Sequence, residues 1–263
     1  MNLENKVVLI TGGAAGIGRG IAECFAKEKA NVVIADCNEE DGMATKVFLE
    51  SLGVEALFVN MDIAVELDIE RVINMTLDKW GQIDVLVNNV GTHLYKRLTE
   101  IKGEEWDRLM NVDLKGCFMM SRGVLPHMIK RKQGSIVNIS SVHSHISGEN
   151  FTAYSAAKGG VVSMTRSMAA EYVPYGIRVN AVLPGWTRTK GTTEEPLSKY
   201  SDDEKVNVLA KWGKVIPIGR LAEPEEIGHS VVFLASEKAS YIVGACLTVD
   251  GGLTSTIHLN TGE

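Results

Sequence analysis

Short apolar runs recur along the chain, and stretches with helical spacing separate them. The first run is Lys6-Val-Val-Leu-Ile-Thr11. Others cover Asn31–Asp36, Val54–Asn60, Ile83–Asn88, Gly134–Ser140, Ile177–Val182 and Ala245–Asp250. Runs this short and this apolar suit strands buried on both faces of a parallel sheet. After the first run, Ile21, Ala22, Phe25 and Ala26 fall at helix spacing. Further helices are expected over Glu39–Leu52, Ala64–Trp80, Glu104–Lys132, Tyr154–Tyr175 and Pro224–Ser236. Pro126 is expected to interrupt the third of these. Strands alternating with helices predict an α/β fold with a doubly wound, parallel, seven-stranded sheet. No linker or composition break divides the sequence, so one domain is expected over 1–263. Residues 184–219 follow neither period apart from a short helix expected over Lys199–Lys211. An irregular stretch that long inside a compact domain reads as a substrate loop or lid.

Composition narrows the function classes. The chain has 263 residues, 26 of them Gly and 6 Pro, which suits many tight strand-to-helix turns. The formal net charge of -6 offers no basic face for nucleic acid or a membrane. Cys24, Cys37, Cys117 and Cys246 lack metal-type or disulfide-type spacing and read as reduced packing residues. No basic segment followed by an apolar run precedes Lys6, and no apolar stretch approaches bilayer length. A cytoplasmic protein without a resident metal is expected.

The turn Thr11-Gly-Gly-Ala-Ala-Gly-Ile-Gly18 joins the first strand to the first helix. Gly12, Gly16 and Gly18, with Ile17 between them, would let backbone approach a pyrophosphate at the helix N-terminus. Asp36 closes the next strand, where a carboxylate can accept from both hydroxyls of an adenosine ribose. A 2′-phosphate would be repelled there, by about a few kcal/mol at an effective dielectric near 20. No Arg or Lys lies within Gly12–Ile17 to offset this, although Arg19 follows closely. NAD rather than NADP is expected. Asp62 and Ile63, just past the third strand, are placed to meet an adenine edge.

Tyr154 and Lys158 sit four residues apart in Asn150-Phe-Thr-Ala-Tyr-Ser-Ala-Ala-Lys-Gly-Gly160, on one helix face. The plain alternative is an exposed helical pair. A free tyrosine titrates near pH 10, so proton exchange near pH 7 needs a shift of roughly 3 units. A nearby ammonium favours the phenolate, and an oxidised nicotinamide ring would add a second positive charge.

Jointly, several motifs resemble the short-chain dehydrogenase/reductase family over nearly the whole chain. They are Thr11-Gly-X-X-X-Gly-X-Gly18, Asp62, Asn88-Asn89-X-Gly91, Asn111, Ser141, Tyr154-X-X-X-Lys158, and Pro184-Gly185 followed by Thr189. Val90 departs from the family pattern, where Ala is more usual. The resemblance implies a Rossmann fold and a hydride-transfer site. Tyr154 would be the acid/base, and Ser141, thirteen residues earlier, would hydrogen-bond the same substrate oxygen. Lys158 would hold the nicotinamide ribose, and Asn111 would anchor a water linking Lys158 to solvent. Asn89, Gly91, Pro184, Gly185, Thr187 and Thr189 would line the nicotinamide half of the cofactor site. A homotetramer is implied as well, joined through the long helices and the last strand.

His93, His143, Asn150 and Trp186 are placed by sequence to line the substrate pocket, alongside Ser141 and Tyr154. For each, a surface or packing role is the competing assignment, and Trp186 could equally pack a lid. A polar pocket would favour a sugar, polyol or hydroxy acid over a steroid. An NADPH-dependent ketoacyl-thioester reductase is the alternative enzyme, and Asp36 speaks against it. A non-catalytic nucleotide-binding protein is the alternative outside catalysis.

Overall fold

In the computed structural model, which describes residues 2–256, all five residues of β1 (Val7–Thr11) are buried. Val7 and Leu9 feed one apolar core, and Val8 and Ile10 the other. This is what a parallel strand covered on both faces requires, since side chains alternate across the sheet. The sequential elements are α1 (Gly16–Lys27), β2 (Asn31–Asp36), α2 (Glu39–Ser51), β3 (Ala56–Asn60), α3 (Glu66–Trp80) and β4 (Val85–Asn88). They continue with α4 (Gly103–Met110), α5 (Gly116–Arg131), β5 (Gly134–Ile139), α6 (Thr152–Tyr172) and β6 (Ile177–Pro184). The last are α7 (Glu195–Leu197), α8 (Asp202–Gly213), α9 (Pro224–Ala235) and β7 (Cys246–Val249).

The seven strands pair in the order β3-β2-β1-β4-β5-β6-β7, and every pairing is parallel. Chain direction across the sheet reverses between β1 and β4, so a crevice opens at their C-terminal ends. Ligands of such sheets sit at that switch point. One core holds Ile21, Phe25, Ile34, Val231 and Val232 from α1, β2 and α9. The other holds Val72, Met120, Val124, Met128 and Val179 from α3, α5 and β6. Each fully buried Ile, Leu or Phe contributes about 1.5–3 kcal/mol. The fold is the single Rossmann-like α/β domain expected from the sequence, although Met1 and 257–263 of the expected 1–263 span lie outside the described residues.

Two expectations are corrected. Pro126 lies inside α5 and does not interrupt it. The break is earlier, a π turn at Asn111–Lys115 between α4 and α5. Asn111 and Lys115 are exposed there, while Asp113 is buried. Residues 184–219 are also more regular than their pattern suggests. They carry a π turn at Lys190–Glu194, then α7 and α8. Ser201 starts α8 with a reciprocal cap: its Oγ accepts from Glu204 N–H, and Glu204 accepts from Ser201 N–H.

Candidate active site

The crevice is stitched before any ligand enters. Thr11 Oγ1 accepts from the N–H groups of Asn89 and Val90, at 3.0 and 3.2 Å. The Asn89 amide donates to the carbonyls of Thr11 and Gly12, at 3.1 and 3.0 Å. Asn89 therefore holds the glycine turn with its side chain. Gly12 and Gly16 take φ of +66° and +54°, where a side chain is strained. A Cβ on Gly18 would stand 1.9 Å from Gly12 O, so only glycine lets α1 start this close to β1. The first turn of α1 has no acid and no side-chain cap. Its open N–H groups suit a phosphate.

At the end of β2, Asp36 Oδ2 accepts from Ala14 N–H at 3.0 Å and Oδ1 from Asn38 N–H at 3.0 Å. This fixes the carboxylate beside the turn and leaves further lone pairs open. Arg19 is committed elsewhere: Nε donates to Glu23 Oε1 at 2.9 Å, and its guanidinium lies 5.4 Å from the Phe48 ring centre. Ile17 is half-buried against the α1 core. Asp62 Oδ1 accepts from Ala64 N–H at 2.9 Å, and Ile63 is buried against the start of α5. By donor and acceptor type these residues could hold the phosphates, ribose and adenine of a dinucleotide.

α6 carries the reactive pair. Tyr154 and Lys158 are 8 % and 4 % exposed, and Lys158 Nζ lies 5.6 Å from the Tyr154 ring centre. Nζ donates to Ile139 O at 3.4 Å and pairs with Asp113 Oδ2 at 3.2 Å. Burial alone would lower the lysine's pKa, but Tyr154 and Asp113 outweigh it and hold the value above the ordinary range. Ser140 Oγ donates to Lys158 O at 2.9 Å, so this serine supports the backbone of the helix. Ser141 begins a short 3-10 turn after β5, its Oγ accepting from His143 N–H at 3.2 Å. Asn111 opens the π turn and is exposed, beside Ile63 and Lys115. From that turn it is Asp113 that reaches Lys158.

Two imidazoles flank the tyrosine. His93 and His143 lie 5.2 and 5.8 Å from the Tyr154 ring, centre to centre. His143 stacks on Phe151 at 4.0 Å. Burial lowers the pKa of both histidines; Lys158 adds to this at His93, and His93 at His143. Both are neutral at pH 7, so each offers one donor and one acceptor. Asn150 takes φ of +69° and accepts from Lys96 N–H through its carbonyl. Asp113, Phe151 and Tyr95, which packs edge-on against Phe151, were not singled out by sequence. Asp113 carried one usable signal, an acid two positions past Asn111 between Val112 and Leu114.

β6 ends at Pro184, and Gly185 N–H donates to Val249 O. Thr187 is buried, and its carbonyl accepts from Thr192 Oγ1 at 2.6 Å. Thr189 shares its hydroxyl with Thr192 Oγ1 at 2.9 Å, and its methyl lies against Gly16. The start of the 184–219 segment thus meets the glycine turn across the crevice. Trp186 stacks on Trp212 of α8 at 4.9 Å.

Residues 12–254 match the family model described as enoyl-(acyl carrier protein) reductase. An uncharacterized oxidoreductase of Thermotoga maritima is 38% identical over 255 residues, 97% of this chain and all of the relative. The 3-oxoacyl-(acyl-carrier-protein) reductase FabG of the same organism is 39% identical, over 96% of this chain and 99% of its own. Among solved structures, the ligand-free aldohexose dehydrogenase of Thermoplasma acidophilum superposes with a TM-score of 0.89 at 33% identity, covering 99% of this chain and 98% of that one. With the glycine turn, the switch-point crevice and the Tyr154–Lys158 pair now in place, the chain belongs to the short-chain dehydrogenase/reductase family of oxidoreductases.

Proposed function

We propose that this protein is an NAD-dependent dehydrogenase that exchanges a hydride between a secondary alcohol, or its carbonyl, and the cofactor. The observation that carries this is the buried Tyr154–Lys158 pair at the mouth of the crevice. The nicotinamide supplies the hydride acceptor or donor. Tyr154 exchanges the proton of the substrate oxygen as acid or base. Ser141 donates to that oxygen where charge builds. Lys158, held cationic, favours the phenolate and binds the ribose. Asn111 opens the solvent side of the proton path, while Thr187, Thr189, Pro184, Gly185 and Gly91 shape the nicotinamide end.

Asp36 supports NAD over NADP. Its carboxylate is fixed where a ribose hydroxyl would bond, and Arg19 is paired with Glu23 rather than free to meet a 2′-phosphate. His93 and His143, neutral on either side of Tyr154, support a hydroxyl-rich substrate such as a sugar, polyol or hydroxy acid. His143 Nδ1 is buried and, among the described residues, has no hydrogen-bonding partner. Asn150 and Trp186 would complete the pocket. Reduction of a 3-ketoacyl thioester with NADPH is the second reading, supported by the likeness to FabG.

Among the described residues no helix is long and apolar enough to cross a membrane. A cytoplasmic homotetramer completes the proposal; exposed Val65, Leu67 and Phe118 support an association surface near α3 and α5. Light scattering tests it, and a monomer mass removes it. The function is tested by screening sugars, polyols, hydroxy acids, secondary alcohols and a 3-ketoacyl thioester with each coenzyme. NADH production from a hydroxylated substrate, lost by at least ~100-fold in Tyr154→Phe with NAD still bound, is the expected result. Preference for NADPH with the thioester would replace it with the second reading.

A further inference from the structure

Asp113 touches the reactive pair, yet none of the roles above uses it. It is 1 % exposed and turned inward by the π turn that leaves Asn111 and Lys115 outside. Its Oδ1 accepts from Thr92 N–H at 2.8 Å, tying the loop after β4 to this turn. Its Oδ2 forms an ion pair with Lys158 Nζ at 3.2 Å and, among the described residues, has no hydrogen-bonding partner. A Cβ on Gly91 would lie 3.0 Å from Lys158 Nζ and 3.1 Å from Asp113 Oδ2, so the three residues converge on one point.

Two consequences follow from charge and geometry. A buried ammonium without a counter-charge is costly, and Asp113 supplies that counter-charge. The ion pair to Asp113 and the hydrogen bond to Ile139 O together fix Nζ and leave it N–H groups with which to act. A carboxylate this close also cancels part of the ammonium's field at Tyr154. The other titratable groups facing Lys158 are Cys117, whose thiol burial pushes up to about 12, and His93. Neither carries charge at pH 7. We propose that Asp113 is a positioning residue that anchors Lys158 and moderates its charge at Tyr154, so that the three side chains together set the pH range of proton transfer. This rests on the proposed role of Tyr154 and Lys158.

Asp113→Asn keeps the shape and an oxygen for Thr92 N–H while removing the charge. Both limbs of the kcat-against-pH profile are expected to move to lower pH, by about one unit. The acid limb moves because the Lys158 charge acts on Tyr154 uncompensated. The alkaline limb moves because a buried lysine without its carboxylate loses its proton earlier. A second readout needs no turnover: the tyrosinate ultraviolet absorbance of cofactor-free protein, taken as the difference from a Tyr154→Phe background. It should develop at lower pH in Asp113→Asn. Repeating both in a His93→Gln background removes the imidazole's own titration. If Asp113→Asn does not accumulate in folded form, Asp113→Ser is expected to show the same displacement. A uniform loss of kcat with unmoved limbs and unmoved absorbance would overturn the proposal. Turnover surviving in Tyr154→Phe would instead sink the proton-transfer role itself, whatever Asp113 does.

Discussion

The indole of Trp186 stacks on that of Trp212, with ring centres 4.9 Å apart and planes inclined by 27°. Trp186 follows β6 directly, and Trp212 sits in the last turn of α8. The contact therefore pins the 184–219 segment to the rigid end of the sheet. Backbone bonds run beside it, from Ala222 N–H to Trp186 O and from Arg188 N–H to Ala222 O. Arg220 and Glu226 form a two-armed pair at 2.6 and 2.8 Å just beyond.

Trp212→Ala should thus loosen α8 while leaving the crevice intact. Stacked aromatic pairs contribute about 0.5–1.5 kcal/mol beyond the area they bury. KM for the alcohol is expected to rise roughly 5- to 10-fold, in line with that energy, with Kd for NAD little changed. Steady-state kinetics alongside NADH fluorescence titration separates the two. A loss confined to NAD affinity would contradict the anchoring role.

The sheet was legible in the sequence because each strand carries the same signal. Val7 to Ile10 alternate between two cores, so all four must be apolar, and a run of four is hard to mistake. The glycine turn and the Tyr154–Lys158 spacing were legible for a related reason: each depends on neighbours within a few residues. The π turn at Asn111–Lys115 was not. Whether a helix widens there depends on what packs on either side, while the proline at 126 offered a stronger and misleading local cue. Asp113 was hidden likewise. An acid in a helical stretch reads as solvated until the fold brings Lys158 and Thr92 to it. The Trp186–Trp212 stack joins positions whose spacing follows no period.

Acid should weaken the fold through the two active-site histidines. Both have folded-state pKa values below the ordinary 6.5, chiefly because burial disfavours the charged ring. Above 6.5 they are neutral in either state and stability is unaffected. As pH falls through 6.5 toward the depressed folded values, the unfolded chain takes up protons first, and stability declines. Below the folded values the loss is complete. The thermal midpoint should therefore drop between pH 7 and pH 5, and by less in a His93→Gln, His143→Gln double variant. Equal drops would show that other groups carry the acid sensitivity.

Beneath the site, Asn88 and Asn138 organise a buried polar network. Asn88 Nδ2 donates to Asn138 Oδ1 at 2.8 Å and to Ser121 Oγ at 3.0 Å. Asn138 Nδ2 donates to Thr165 Oγ1 at 2.9 Å, so β4, β5, α5 and α6 share one set of bonds. Asn138→Ala strands part of that set, at about 1–3 kcal/mol. A fall in the thermal midpoint of roughly 2–4 °C per kcal/mol is expected. KM should stay near its starting value, because the network supports the sheet rather than the substrate. Calorimetry with parallel kinetics measures both.

Gly91 offers the sharpest steric test of the reactive pair. It stands directly beside the Lys158–Asp113 contact, and an added Cβ would meet both charged atoms near 3 Å. Its φ is not in the left-handed region, so alanine brings no backbone strain of that kind. Whatever Gly91→Ala does must therefore come from displacing Nζ or Oδ2 by a few tenths of an ångström. Misplacement on that scale can cost up to about 100-fold in rate. A fall in kcat of roughly 10- to 100-fold is expected, with KM for the alcohol changed less than 3-fold. The thermal midpoint should move only slightly, since no buried group loses its partner. A variant with unchanged kcat would mean that Lys158 tolerates displacement, and that its position matters less than its charge.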